Sequence, residues 1–222
     1  GKEHMQLCVL ASGSSGNCVF VQAGGTKILI DAGLSGRETE RRLEQIGVQP
    51  AEIQAICLTH EHSDHVAGLA VLSARYHMRL YANGGTVEAL RRDERRGGLA
   101  WNVFTTGAPF QIGELAIEPF SVSHDAYEPV GFILTGGGAR AGVVTDIGVS
   151  THLVRERLRG CQVVVLESNH DEELLADAPR PEYLKQRIRG RQGHLSNRHA
   201  AEMLAEIAGT DLRQVFLAHI SA

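Results

Sequence analysis

Apolar residues fall along this chain in short runs separated by glycine, serine and charged turns, which is the pattern of many short strands. Leu7 to Ala11, Cys18 to Gln22 and Lys27 to Ile30 read as an opening antiparallel meander. Gly36 to Ile46 then has helical periodicity and stops at Gly47. Strand Ile53 to Leu58 follows, then a helix from His65 to Tyr76 that turns Val66, Leu69, Ala70 and Leu72 inward. Strand Arg79 to Ala82 and helix Thr86 to Arg95 close this half, with the mixed charges of Arg91 to Arg96 on a solvated face.

Beyond Trp101 the short runs return at Val103–Thr105, Phe110–Ile112, Leu115–Val122, Gly131–Thr135 and Arg140–Thr145. Gly136-Gly137-Gly138 reads as a hairpin turn. Helix Val149 to Leu158 leads to the strand Val163 to Leu166, and a charged, proline-punctuated stretch runs from Asp171 to Gly193. A helix from Ser196 to Ala208 and strand Val215 to Ala218 complete the pattern. Strands, αβ units, strands and αβ units again predict two halves packed sheet on sheet, with helices outside: an α/β chain in an αββα sandwich.

Composition narrows the function. No apolar run is long enough to span a membrane, so no membrane partner is expected. No secretory leader is visible, and the expected compartment is the cytoplasm. Gly1 to His4 read as an expression scar, which leaves 5–222 as a single domain. The four cysteines lie singly, without C-x-x-C spacing, and are expected as free thiols. A net charge of −4 gives no overall attraction to nucleic acid, so such a partner needs a local basic patch.

The candidate chemistry sits behind the Ile53 strand, in Thr59-His60-Glu61-His62-Ser63-Asp64-His65. His60 and His62 can converge on one ion while Asp64 and His65 point the other way. Imidazole and carboxylate suit zinc, and also manganese or iron. This T-H-x-H-x-D-H stretch resembles the signature of the metallo-β-lactamase fold. Asp31, His124, Asp146 and His219 match further family positions, each at the end of an apolar run.

The resemblance implies that His60, His62 and His124 hold one divalent ion, that Asp64, His65 and His219 hold a second, and that Asp146 bridges them. Asp31 is expected behind the ligands, orienting the histidine loop. A cysteine at the bridging position would suggest a dedicated β-lactamase, and Cys161 lies too far along the chain for that role. Two such ions would share a hydroxide and polarise a phosphoryl or carbonyl oxygen, with Asp64 able to accept a proton. The reaction class is metal-assisted hydrolysis, with zinc the first expectation for both ions.

Glu167 to Asp171, Leu184 to Ile188, Gly193 to Asn197 and the opening Ala11 to Asn17 resemble the YycJ/WalJ-type exonuclease subgroup. That resemblance implies a phosphodiesterase acting on DNA or RNA from the 5′ end. Between Arg180 and Arg198, Lys185, Arg187, Arg189, Arg191 and Arg198 stand against Glu182, a patch able to neutralise phosphates or a solvated loop. Lys185 and Arg187 are the candidate phosphate contacts. His194 is a candidate catalytic group, and Ser196 binds phosphate or merely caps a helix. His170 is expected at the site's edge or behind its ligands, and the Ser12 to Asn17 loop approaches an anion or is a plain turn. Competing readings are hydrolysis of a small ester, thioester or β-lactam by the same metals, and a structural metal-binding protein.

Overall fold

The computed structural model describes residues 4–94, 96, 98–170, 172–209 and 211–219. The reading of Gly1 to Glu3 as a scar, and the parts of other expectations that fall on Arg95 and Asp171, lie outside them.

The first half builds β1 (Gln6–Ala11), β2 (Cys18–Ala23), β3 (Thr26–Ile30), α1 (Gly36–Gln45), a 3-10 turn at Pro50–Glu52 and β4 (Ala55–Cys57). It continues through α2 (Ser63–Val66), α3 (Leu69–Tyr76), β5 (Arg79–Asn83), α4 (Gly84–Arg91) and β6 (Trp101–Phe104). These six strands form one sheet in chain order. β1 to β3 pair antiparallel, and β3 to β6 pair parallel.

The second half supplies β7 (Phe110–Ile112), β8 (Leu115–Ser121), β9 (Val130–Gly136), β10 (Ala139–Val144), α5 (His152–Leu158) and β11 (Val163–Glu167). After it come α6 (Glu172–Asp177), α7 (Glu182–Arg189), α8 (Asn197–Ile207) and β12 (Gln214–Ala218). Strands β7 to β12 make the second sheet, again in chain order. It begins antiparallel and ends with the parallel pairs β10–β11 and β11–β12.

Side-chain alternation turns these sheets into four layers. Val19, Val21, Ile28 and Ile30 of the first sheet share a buried cluster with Ile117, Phe132, Val143 and Val165 of the second. Their neighbours face outward: Phe20, Leu29 and Ile56 pack with Leu43, Leu69 and Leu90 of the helices beside the first sheet. Ile133, Val144 and Val164 pack likewise with Val154, Leu158, Ala200 and Met203. Both faces of the central strands are therefore dry, which is why they read as unbroken apolar runs rather than as alternating ones. The αββα expectation holds.

Several boundaries differ, each for a local reason. The expected His65–Tyr76 helix starts at Ser63 and is interrupted near Gly68, whose amide donates to the Ala32 carbonyl at 2.8 Å. Ala70 is exposed rather than inward, because Leu69 and Leu72 take the inner stripe. Helix α5 begins three residues later than expected: Val149 is bridged to Ser123, and the Thr151 hydroxyl caps the helix. Helix α4 ends at Arg91, so Arg92, Asp93, Glu94 and Arg96 lie in turns and a bend rather than on a helix face. The charged, proline-punctuated stretch holds α6 and α7 among its described residues.

Among the described residues no helix is long and apolar enough to cross a membrane.

Candidate metal centre

The donors gather where both sheets end, after the C-terminal ends of β4, β8, β10 and β12, the edge at which open α/β sheets place their sites. The histidine loop is held from behind by Asp31. Its Oδ1 accepts from the Thr59 amide at 2.8 Å, and its Oδ2 accepts from the Thr59 hydroxyl at 2.7 Å. The same Oδ2 lies 2.7 Å from Nδ1 of His65, fixing the tautomer that leaves Nε2 for the centre. Asp31 is fully buried and takes a left-handed backbone (φ 63°), unusual for a residue with a side chain. The bonds to the loop hold it there.

The Ser12–Asn17 loop packs under the same turn. The Asn17 amide donates to the Asp64 carbonyl at 2.8 Å, and its side-chain amide reaches Asp64 Oδ2 at 3.1 Å. Gly33 passes so close that a Cβ there would stand 1.6 Å from the Asp64 carbonyl oxygen. Through Asn17 the loop braces the turn that carries Asp64, and its Ser14 lines the opening over the donors.

His60, His62 and His124 form one group whose ligand-type atoms lie within 4.8 Å of one another. Asp64, His65 and His219 form a second. Asp146 lies between them, with Oδ2 at 2.7 Å from His65 Nε2 and 3.9 Å from His60 Nε2, and Oδ1 at 3.8 Å from His124 Nε2. Most of the donors are buried, with His62 and Asp64 partly exposed, yet His60 Nε2, His124 Nε2 and His219 Nε2 have no hydrogen-bond partner, and Asp146 Oδ2 meets only the His65 ring. Buried polar atoms are ordinarily paired. Three orphaned nitrogens converging on a buried carboxylate fit divalent cations, and the site binds divalent metal.

Electrostatics point the same way. Burial holds the His60 imidazole well below its ordinary range, and the neighbouring His65 charge adds to that, leaving the neutral form that ligates. Burial lowers His124 as well. For His65 burial opposes protonation, but the Asp31 and Asp146 carboxylates outweigh it and raise its pKa. Asp146 is the mirror image: burial favours the neutral acid, and His65 followed by His219 and His60 reverses that, so the carboxyl stays ionised. The field at this spot favours a cation.

A second circle of residues stands around these. His194 lines the opening, its Nδ1 2.5 Å from Oε1 of the fully buried Glu167. Glu167 Oε2 accepts from the Ile147 and Leu195 amides. Sequence reasoning gave Glu167 no role, although an acid closing the apolar run Val163–Leu166 was a visible signal. Asn169 was missed too; its side chain donates to the His219 carbonyl at 2.9 Å. His170 follows it, nine-tenths buried, at one remove from the donors.

The basic stretch divides. Arg187 lines the opening and pairs with Asp125 at 2.9 Å. Lys185 does not reach it: the side chain is buried in the inner face of α7, and its ammonium donates to the Ala176 carbonyl at 2.5 Å. Ser196 caps α8 by accepting from the His199 amide and donates to Glu172 at 3.0 Å, which places it away from the donors.

Comparison with known proteins adds a family. A family model described as a beta-lactamase superfamily domain matches residues 26–220. Over 220 residues the chain is 35% identical to exodeoxyribonuclease YycJ of Bacillus anthracis, covering 98% of this chain and 83% of that protein. It is 36% identical to exodeoxyribonuclease WalJ of Streptococcus pneumoniae over 216 residues, covering 96% and 80%. Among solved structures, the metallo-beta-lactamase fold protein YhfI from Bacillus subtilis superposes with a TM-score of 0.75 at 16% identity, covering 98% and 87%. Human tRNase Z, short form, gives 0.70 at 17%, covering 97% and 92%. At those identities the likeness is one of fold.

Proposed function

The chain belongs to the beta-lactamase superfamily and to the family of the YycJ and WalJ exodeoxyribonucleases, and from that premise we propose that it is a dinuclear metal-dependent phosphodiesterase removing nucleotides from the ends of DNA. The observation that carries this reading is the pair of donor groups sharing Asp146, at the base of an open groove walled on one side by α7. His60, His62 and His124 would hold one ion and Asp64, His65 and His219 the other, with Asp146 serving both; zinc suits the donors, as do manganese and iron. Bound there, the ions would supply positive charge that polarises a phosphodiester and acidifies water.

The chain's own residues do the rest. Asp31 holds His65 in one tautomer, and Asn17 holds the Asp64 carboxylate. Asp64, part exposed at the groove, can take a proton from water. Burial, with the Asp146 charge beside it, raises the Glu167 pKa and keeps its carboxyl protonated. That acid donates to Nδ1 of His194, so the one proton of the neutral imidazole sits on Nε2, from which it can pass to a leaving oxygen. Arg187 offers a guanidinium to a phosphate at the groove's mouth once it swings from the exposed Asp125, a pair worth little in water.

Cleavage of 5′-phosphorylated DNA, RNA and a β-lactam with defined metals tests the assignment. We expect DNA to be cut best, and lactam turnover without any cleavage of nucleic acid would overturn it. Metal analysis after reconstitution should find two ions per chain, where saturation at one would refute the dinuclear reading. At a free metal concentration one hundred times the Kd, loading should add about 2.7 kcal/mol of stability per site, read as a rise in Tm. Arg187→Gln should weaken nucleic-acid binding across all sequences and reduce the slope of log K against log salt by about one. An unchanged slope would remove Arg187 from the phosphate path.

A further inference from the structure

His194 has two sides. One lines the groove over the donor cluster, and the other lines a separate cavity of about 320 Å³ that shares no other described residue with that groove. The cavity lies between the start of α5, helix α8 and the segment 189–196, with Val149, Leu195 and Met203 as its apolar surface.

Charge on its walls is unevenly satisfied. Each of its carboxylates already has a cation: Glu172 is bound by Arg198 at 3.0 Å, Glu202 by Arg198 at 2.9 Å, and Glu206 by Arg155 at 3.0 Å. Arg189 and Arg191 also line the cavity, and their side chains make no hydrogen bond or ion pair among the described residues. His170 joins them from the interior, only 8% exposed. Its Nδ1 lies 3.3 Å from the Asn169 side-chain oxygen, and its Nε2 has no partner among the described residues. Two unspent guanidiniums and the imidazole of a largely buried histidine on the wall of one space form an oxyanion site, because guanidinium forks match phosphate oxygens. The volume is at the small end of ligand sites, enough for one nucleotide and too little for a duplex.

We infer that this cavity binds a phosphate monoester carried by a single nucleotide, with the phosphate on Arg189, Arg191 and His170 and the sugar and base against Val149, Leu195 and Met203. The nucleotide comes either from the end of the bound strand or from released product, and the strand-end source rests on the nuclease reading above. With one imidazole between the two spaces, a nucleotide seated here sets which phosphodiester reaches the donor cluster.

Calorimetry with deoxyadenosine monophosphate, with deoxyadenosine as the phosphate-free probe, tests the cavity without any turnover. The metal-loaded wild type should bind the monophosphate and not the nucleoside. Joint Arg189→Gln and Arg191→Gln replacement should raise the Kd at least about tenfold, or 1.4 kcal/mol. Both side chains are exposed, so the fold should stand, and Arg159→Gln at the far end of α5 controls for net charge. Equal affinity in the wild type and double variant, or no binding by the wild type, would overturn the assignment. Oligonucleotides with a 5′-phosphate, a 3′-phosphate or hydroxyl ends separate the sources. A strand-end site gives faster cleavage of one phosphorylated end, lost in the double variant. A product site gives no end preference but inhibition by the monophosphate, also lost. If no oligonucleotide is cut at all, the nuclease reading fails, and the calorimetry still decides the cavity.

Discussion

Asp146→Ala should lose hydrolysis by at least about a thousandfold, which is about 4 kcal/mol of barrier, and should leave both ions weakly held. Asp146 stands within 4 Å of His60, His65, His124 and His219, so no other single residue touches both donor groups as widely. Its removal also strips a partner from the buried His65, and two kinds of damage must be told apart. Asp64→Ala provides the contrast. Asp64 is part exposed and serves only the group with His65 and His219, so that variant should keep one ion per chain while its turnover falls by a comparable factor. Turnover, bound metal and circular dichroism on the same samples separate the cases. Near-wild-type cleavage by a folded Asp146→Ala protein would mean that the chemistry lies elsewhere.

Gly33→Ala should be the most damaging change of a single methyl group. A Cβ at Gly33 would lie 1.6 Å from the Asp64 carbonyl oxygen and 2.6 Å from the Asn17 amide nitrogen, and both are backbone atoms that cannot rotate away. Overpacking of this kind costs about 3 kcal/mol, sometimes more, and at this chain length each kcal/mol moves Tm by roughly 2–4 °C. A fall of about 6–12 °C is expected, together with lost metal affinity, because relief requires moving the turn that carries Asp64. Gly47 is the control. It has φ +76° with nothing within 4 Å of its absent side chain, so Ala there carries only the left-handed backbone penalty of about 1 kcal/mol. Similar Tm values for the two variants would show that close approach at Gly33 is not what the turn depends on.

How much of this was legible beforehand follows from where each signal lives. The donor positions are local: a short motif behind a strand, and single residues closing apolar runs, need no knowledge of partners. The layers were legible because strands buried on both faces leave continuous apolar runs. Lys185 was misread because a count of charges cannot say which face of a helix turns inward, and α7 turns that one in to meet the end of α6. Ala70 was misread for the same reason. Glu167 and Asn169 act on residues 27 and 50 positions away, and such pairings exist only once the sheets have met. Asp31 could be suspected from its position, but its left-handed backbone is a tertiary property with no trace in the neighbouring sequence.

The hydroxyl of Ser12 accepts a hydrogen bond from the His219 amide at 2.7 Å, across 207 residues. A ribosome delivers these two partners far apart in time. Strands β1 to β6 pair only with one another, but Val19, Val21, Ile28 and Ile30 on their inner face are covered only by the second sheet, so His60, His62, Asp64 and His65 are synthesised well before the sheet that carries them is buried. At that point the donor set still lacks His124, Asp146 and His219. His219 takes its place beside Ser12 only where β12 docks against β11. The donor set is therefore complete only when both ends of the chain have met, and losing the Ser12–His219 contact would loosen the centre from its far edge.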